Sequence, residues 1–175
     1  MVMREKGAFM IWRAIFEKRL SLIGLISVVF ISLLLPHTAN PKSDNPLDLI
    51  FLDTKGNEVR LRELAENKPL LLYFWATWCK PCRKTQPKVS ALAKKYKERI
   101  KVVGINVGGL DSGRDIEKYI ARKKITYTML LDRADQAVKT YSIYGIPTII
   151  LFDESGKILF RNTKVPKDLE KFLSD

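Results

Sequence analysis

Cys79 and Cys82 are the only cysteines in the chain, and their type and spacing point most directly to chemistry. They sit in W-C-K-P-C, behind an apolar run at residues 70–75 and ahead of helix-forming residues. The run is short and aromatic, which predicts a buried strand. The chain then turns at Ala76-Thr77-Trp78, and Cys79 falls where a helix should begin. The first turn of a helix carries unpaired N–H groups and the positive end of the macrodipole. A thiolate is favoured there, so the thiol pKa is expected to drop from its free value of about 8.5. Lys80 and Arg83 add positive charge nearby. Thiols three residues apart share a helix face and can close a disulfide. Pro81 is tolerated because first-turn N–H groups have no intrahelical acceptor to lose.

Two other uses of the pair are weaker. A structural zinc site needs four ligands, and the only histidine is His37, outside the expected domain. A loop this short constrains the unfolded chain little, which argues against a purely stabilising cross-link. A redox-active dithiol fits the strand–turn–helix setting.

The stretch FWATWCKPC resembles the active-site motif of the thioredoxin superfamily, and its TlpA/ResA-like membrane-anchored branch is the best match. The likeness extends over residues 46–175. KVVGINVGG at 101–109 resembles the family's V-x-x-V-N-V-G, and YSIYGIPTIILFDESGKI at 141–158 resembles its G-x-P-T segment. FLDTKGNEVRLREL at 51–64 resembles its opening hairpin. The resemblance implies a cis Ile146–Pro147 bond facing a Cys79–Cys82 disulfide; from sequence alone Pro147 reads as an ordinary trans proline at a strand start. It also implies that the Ile146 backbone pairs with an extended substrate segment, with Thr148 flanking it and Trp78, Lys80 and Pro81 around the site. Trp75 reads either as a second wall or as core packing. Cys79 is expected to be exposed and to attack, and the more buried Cys82 to resolve the mixed disulfide.

Two positions depart from the family pattern. A buried acid six residues before the first cysteine is replaced by Tyr73, and a glutamate after V-G is replaced by Gly109. Glu98, Asp111 and Asp132 are proton-acceptor candidates by type alone.

The surrounding elements follow from pattern. Residues 49–52 and 58–61 flank turn residues and predict a hairpin, followed by a short helix at 62–66. After the strand at 70–75, the active-site helix is expected to run to about Glu98, kinked by Pro87, with Val89, Leu92, Ala93 and Tyr96 on its apolar face. Residues 100–107 predict a strand. Ser112 or Gly113 opens a helix to Lys123, with Ile116, Tyr119 and Ile120 facing inward. An extended piece at 126–131, a helix at 134–141, a hairpin of 148–152 with 157–161, and a closing helix at 166–173 complete the domain. Strands alternating with helices indicate an α/β sandwich with a mixed central sheet flanked by helices. Pattern alone does not give the strand order; the thioredoxin-like resemblance does.

Upstream the composition changes. Residues 20–35 are 16 uncharged, almost wholly apolar positions, and residues up to Pro36 are expected to form a transmembrane anchor. Arg4, Lys6, Arg13, Lys18 and Arg19 precede the run against Glu5 and Glu17, which argues for a cytoplasmic 1–19 segment. The competing reading is a cleaved signal peptide, but His37 and Ala39 do not make a small-x-small cleavage site. Residues 37–45 read as a polar tether. The catalytic domain, 46–175, is then expected outside the cytoplasmic membrane, on the periplasmic side.

The chain carries 31 Lys and Arg against 19 Asp and Glu, a formal +12. Such a balance suits acidic partners, a membrane surface or simply a solvated exterior. No arginine-rich stripe with interleaved aromatics suggests nucleic acid. The expected activity is thiol–disulfide exchange without a cofactor or metal. The resemblance points to a reductase of partner proteins, as in cytochrome c maturation, recharged by a membrane electron donor. A disulfide oxidase and a copper(I) carrier using the two thiols remain alternatives.

Overall fold

The computed structural model of the protein describes residues 45–173. It contains seven strands: β1 (Ile50–Asp53), β2 (Glu58–Arg60), β3 (Leu70–Trp75), β4 (Lys101–Asn106), β5 (Thr128–Leu131), β6 (Thr148–Phe152) and β7 (Ile158–Asn162). The helices are α1 (Leu61–Ala65), α2 (Lys80–Lys95), α3 (Gly113–Lys123) and α4 (Gln136–Thr140). All strands join one sheet in the order β2-β1-β5-β4-β3-β6-β7. β3, β4 and β5 run parallel, whereas β1–β2, β1–β5, β3–β6 and β6–β7 pair antiparallel. A parallel neighbour needs a crossover, and α2 supplies it between β3 and β4. The mixed sheet flanked by helices is the architecture expected from the alternating pattern.

All six residues of β3 are buried, because both sheet faces are covered. Successive side chains point to opposite faces. Leu71, Tyr73 and Trp75 join Cys82, Val89 and Leu92 of α2 and Ile116 and Tyr119 of α3 in one core. Leu70, Leu72 and Phe74 join Leu47, Leu61, Ala137 and Tyr141 in the other. Burying a side chain of this size contributes about 1.5–3 kcal/mol, so β3 anchors both layers. At Gly104 an added Cβ would lie 2.2 Å from Met129 Sδ and 3.2 Å from Trp75 Nε1. The glycine makes room first for the Met129 side chain and then for the Trp75 indole beside it.

α3 begins at Ser112, whose hydroxyl accepts from the Asp115 N–H while Asp115 accepts from the Ser112 N–H. This reciprocal cap fixes the start that the sequence left between Ser112 and Gly113.

Two elements differ most from the sequence reading. α2 contains Pro87 and stops at Lys95 rather than Glu98; Tyr96 caps it, its N–H donating to the Leu92 carbonyl. The carbonyl of Tyr96 then accepts from both Arg99 and Ile100, closing a tight turn. The expected helix at 166–173 is only a 3-10 turn, Glu170–Phe172. Leu169 is the one buried residue of this eight-residue stretch, and so short a segment does not by itself offset the cost of helix nucleation. No helix among the described residues is long and apolar enough to cross a membrane. The anchor reading of residues 20–36 lies outside the described residues.

Candidate redox site

Cys79 is the N-cap of α2, with Lys80 and Pro81 in the first turn. Its Sγ is bonded to Cys82 Sγ at 2.03 Å. The Cys82 N–H donates to Cys79 Sγ at 3.1 Å, so a first-turn amide is aimed at the sulfur. Cys79 is 4 % exposed and Cys82 fully buried. The first cysteine is therefore more covered than its helix-tip position suggests, because the loop before β6 leans over it. The Ile146 carbonyl oxygen lies 3.7 Å from Cys79 Sγ, and the Ile146–Pro147 peptide is cis. Thr148, nearly buried, donates its hydroxyl to the Gly145 carbonyl at 2.6 Å and tightens this loop.

The two tryptophans differ in role. Trp75 is wholly buried, its ring 4.9 Å from that of Tyr119, and belongs to the core. Trp78 is 53 % exposed beside the disulfide, with the backbone of Gly108 packed near its ring. Lys80 and Pro81 are exposed on the first turn. The site residues Cys79, Cys82, Trp78, Lys80, Pro81, Ile146, Pro147 and Thr148 thus converge where the end of β3, the start of α2 and the start of β6 meet.

The three acidic candidates do not converge with them on sulfur. Asp132 accepts the N–H groups of Gln136, Ala137 and Val138 and caps α4. Burial pushes its carboxyl above the usual range against those bonds. Glu98 is exposed and pairs with Lys97. Asp111 is close by and buried, but its carboxylate is filled: it accepts the Thr77 N–H at 2.8 Å, the Thr77 hydroxyl, and the Asn106 amide at 2.6 Å. It fixes the turn that presents Cys79, assisted by Arg83, which donates to the Thr77 carbonyl at 2.9 Å. Tyr73, in the slot where an acid was expected, donates its hydroxyl to the Cys82 carbonyl at 2.8 Å. Burial raises its pKa far above the normal phenol value, so it stays protonated at neutral pH. Sequence reading missed the Thr77–Asn106–Asp111 clamp, since its members lie on three separate segments and share no spacing rule.

A disulfide bridging the first turn of a helix, against a cis-proline loop on a mixed sheet, is the arrangement of a thioredoxin-like fold. A family model described as the AhpC/TSA family matches residues 41–161. The chain belongs to the AhpC/TSA family. Among curated relatives of this AhpC/TSA member is the thiol-disulfide oxidoreductase ResA of Geobacillus kaustophilus (strain HTA426). It is 29% identical over 174 residues, covering 98% of this chain and 97% of that protein. Solved structures agree. StoA from Bacillus subtilis matches with TM-score 0.56 and 26% identity over 67% of this chain and 89% of that one. The solution structure of a thiol:disulfide interchange protein from Bacteroides sp. matches with TM-score 0.63 and 28% identity over 71% of this chain and 85% of that one. Within the AhpC/TSA family the chain is of the TlpA/ResA/StoA-like kind, a thiol-disulfide oxidoreductase.

Proposed function

We propose that the protein is a membrane-tethered reductase of disulfides in partner proteins. The observation that carries the reading is the Cys79–Cys82 pair seated at the N-terminus of α2 against the Ile146–Pro147 loop. In the reduced enzyme the Cys79 thiolate, supported by the Cys82 N–H and the helix terminus, attacks one sulfur of a partner cystine. The partner's other sulfur leaves as thiolate and a mixed disulfide forms. The Cys82 thiolate then attacks Cys79 Sγ, breaks the mixed disulfide and releases the second partner thiolate. Two electrons pass to the partner, and the enzyme is left as the Cys79–Cys82 disulfide seen here. Trp78, Lys80 and Pro81 border the approach. The Ile146 backbone aligns the partner strand beside Pro147, with Thr148 flanking it.

No carboxylate among the described residues hydrogen-bonds either cysteine, so solvent takes the proton of Cys82 in this reading. Residues 20–36 anchor the chain, the basic 1–19 segment stays inside, and the domain works on the extracytoplasmic side. That compartment is oxidising, so a membrane donor must supply the electrons. The polar 37–45 tether keeps the domain near that donor. Disulfides of apocytochromes on the maturation route, or other extracytoplasmic cystines, are the targets.

Replacing Cys82 with Ser in the full-length chain should leave a mixed disulfide with the natural partner, visible on a non-reducing gel and identifiable by mass spectrometry. Absence of any adduct through Cys79 would rule out the assigned order of attack.

A further inference from the structure

Charge is spread unevenly over this domain. Residues 45–173 contain 25 Lys and Arg against 15 Asp and Glu. Two segments hold nearly all of the excess. Residues 80–98 carry seven bases and one acid, and residues 113–124 carry five bases and two acids. The remainder is close to neutral, with 13 bases against 12 acids. A chain basic only for solubility has no reason to concentrate its charge in this way.

The two segments are α2 and α3 with their C-terminal exits, and the fold lays both on one side of the sheet. Their apolar residues, Val89 and Leu92 on α2 and Ile116 and Tyr119 on α3, share one core, so their cations face solvent together. Lys84, Lys88, Lys95, Lys118 and Arg122 are all exposed. Where the helices end, Lys94, Lys97 and Lys124 line one open cleft of about 760 Å³. Among the described residues, Lys97 with Glu98 is the one ion pair within these segments. Among the described residues outside these segments, five of 13 bases are ion-paired, including Arg62 with Asp48, Arg99 with Glu170 and Lys101 with Glu66.

We infer that the α2–α3 face is the docking surface for an acidic protein partner, the same disulfide-bearing chain that exchanges with Cys79; this rests on the exchange function proposed above. The face starts at the disulfide, with Lys80 and Arg83 in the first turns of α2. A partner with its cystine over Cys79 and its strand beside Pro147 brings its flanks next to Lys80 and Arg83 at the start of this face. Clustered charge of one sign steers an oppositely charged partner and raises its association rate by roughly 10–1,000-fold at low salt. A lipid surface is the less favoured occupant. The described chain enters on the other side: Leu47 packs into the opposite core and Asn45 donates to the Ser155 carbonyl.

The test uses the full-length protein, reduced, in uncharged detergent. Three synthetic cystine peptides differ only in their flanks: four Glu, four Gln or four Lys. Second-order exchange rates are followed at low salt and at 1 M NaCl. The Glu peptide should react at least about tenfold faster than the Lys peptide at low salt, with the Gln peptide between them. The rates should converge at 1 M, where the Debye length is about 3 Å. The triple variant Lys88→Glu, Lys95→Glu, Lys118→Glu should lose the preference while keeping the Gln-peptide rate. Equal rates for all three peptides at low salt, with exchange intact, overturn the inference but not the exchange function. No exchange with any peptide, the Gln peptide included, overturns both. In reconstituted vesicles, phosphatidylglycerol should leave the Gln-peptide rate unchanged. Slowing that is relieved by the triple variant would assign the face to lipid and overturn the protein-partner inference.

Discussion

The hydroxyl of Tyr73 donates to the backbone carbonyl of Cys82 at 2.8 Å, beneath the disulfide. A residue of β3 thereby holds the first turn of α2 from inside the core. Pro87 removes one helical N–H from this part of α2, so a hydrogen bond from outside the helix adds restraint there. The contact is mechanical rather than acid–base, because burial keeps the phenol protonated. Tyr73→Phe should therefore cost about 0.5–1.5 kcal/mol of stability. It should leave the pH profile of exchange superimposable on that of the parent. Urea unfolding and a pH–rate series check the two halves, and a lost limb in the profile would show that Tyr73 moves a proton.

Asp111 collects three donors from Thr77 and Asn106. In Asp111→Asn an amide must face one of these donors, and the charge-assisted bonds are lost. The expected loss is about 1.5–3 kcal/mol, with slower exchange because Thr77 lies two residues before Cys79. Urea midpoints and exchange rates of parent and variant decide it; an unchanged midpoint would contradict the clamp.

Gly104→Ala should destabilise by about 1–3 kcal/mol, since the new methyl meets Met129 and Trp75 in a filled core. Gly145→Ala is the control for stability, because an added Cβ there meets nothing within 4 Å. Similar urea midpoints for the two variants would mean that the space around Gly104 is not as tight as described.

Much of this could be read from the sequence wherever one local rule sufficed. The apolar run at 70–75 and the helix start at Cys79 were legible because a strand of buried residues and a capped first turn each leave a continuous signature. Residues 166–173 read as a closing helix, but local pattern cannot report whether packing is enough to propagate one. The position of β3 between β4 and β6 came from resemblance, since pairing across the sheet leaves no local mark. The Asp111 clamp was invisible for the same reason. Tyr73 was seen as a missing acid, and only coordinates reveal the carbonyl it holds.

Asp53 and Asp153 use one device at two hairpins. The Asp53 carboxylate accepts from the Lys55 N–H at 2.8 Å and the Asn57 N–H at 2.9 Å; Asp153 accepts from Ser155 and Lys157 in the same way. Both carboxyls lie below the usual range, Asp53 chiefly through the Asn57 side chain and Asp153 chiefly through the Ser155 side chain. A folded pKa below the unfolded value of about 3.9 means stability present above that pH and lost as pH falls through the folded value. The Asp53→Asn, Asp153→Asn double variant should be less stable than the parent at pH 7, with the gap closing near pH 2. Urea midpoints at both pH values check this, and an equal gap at both would contradict the ionic origin.

Exchange depends on Cys79 being the anionic, attacking sulfur. The most direct measurement is alkylation of the reduced full-length protein by iodoacetamide across pH, with the modified residue identified by mass spectrometry. Cys79 should react before Cys82 and reach half its maximal rate clearly below the free-thiol value of about 8.5. A free-cysteine profile at Cys79, or faster modification of Cys82, would contradict the account.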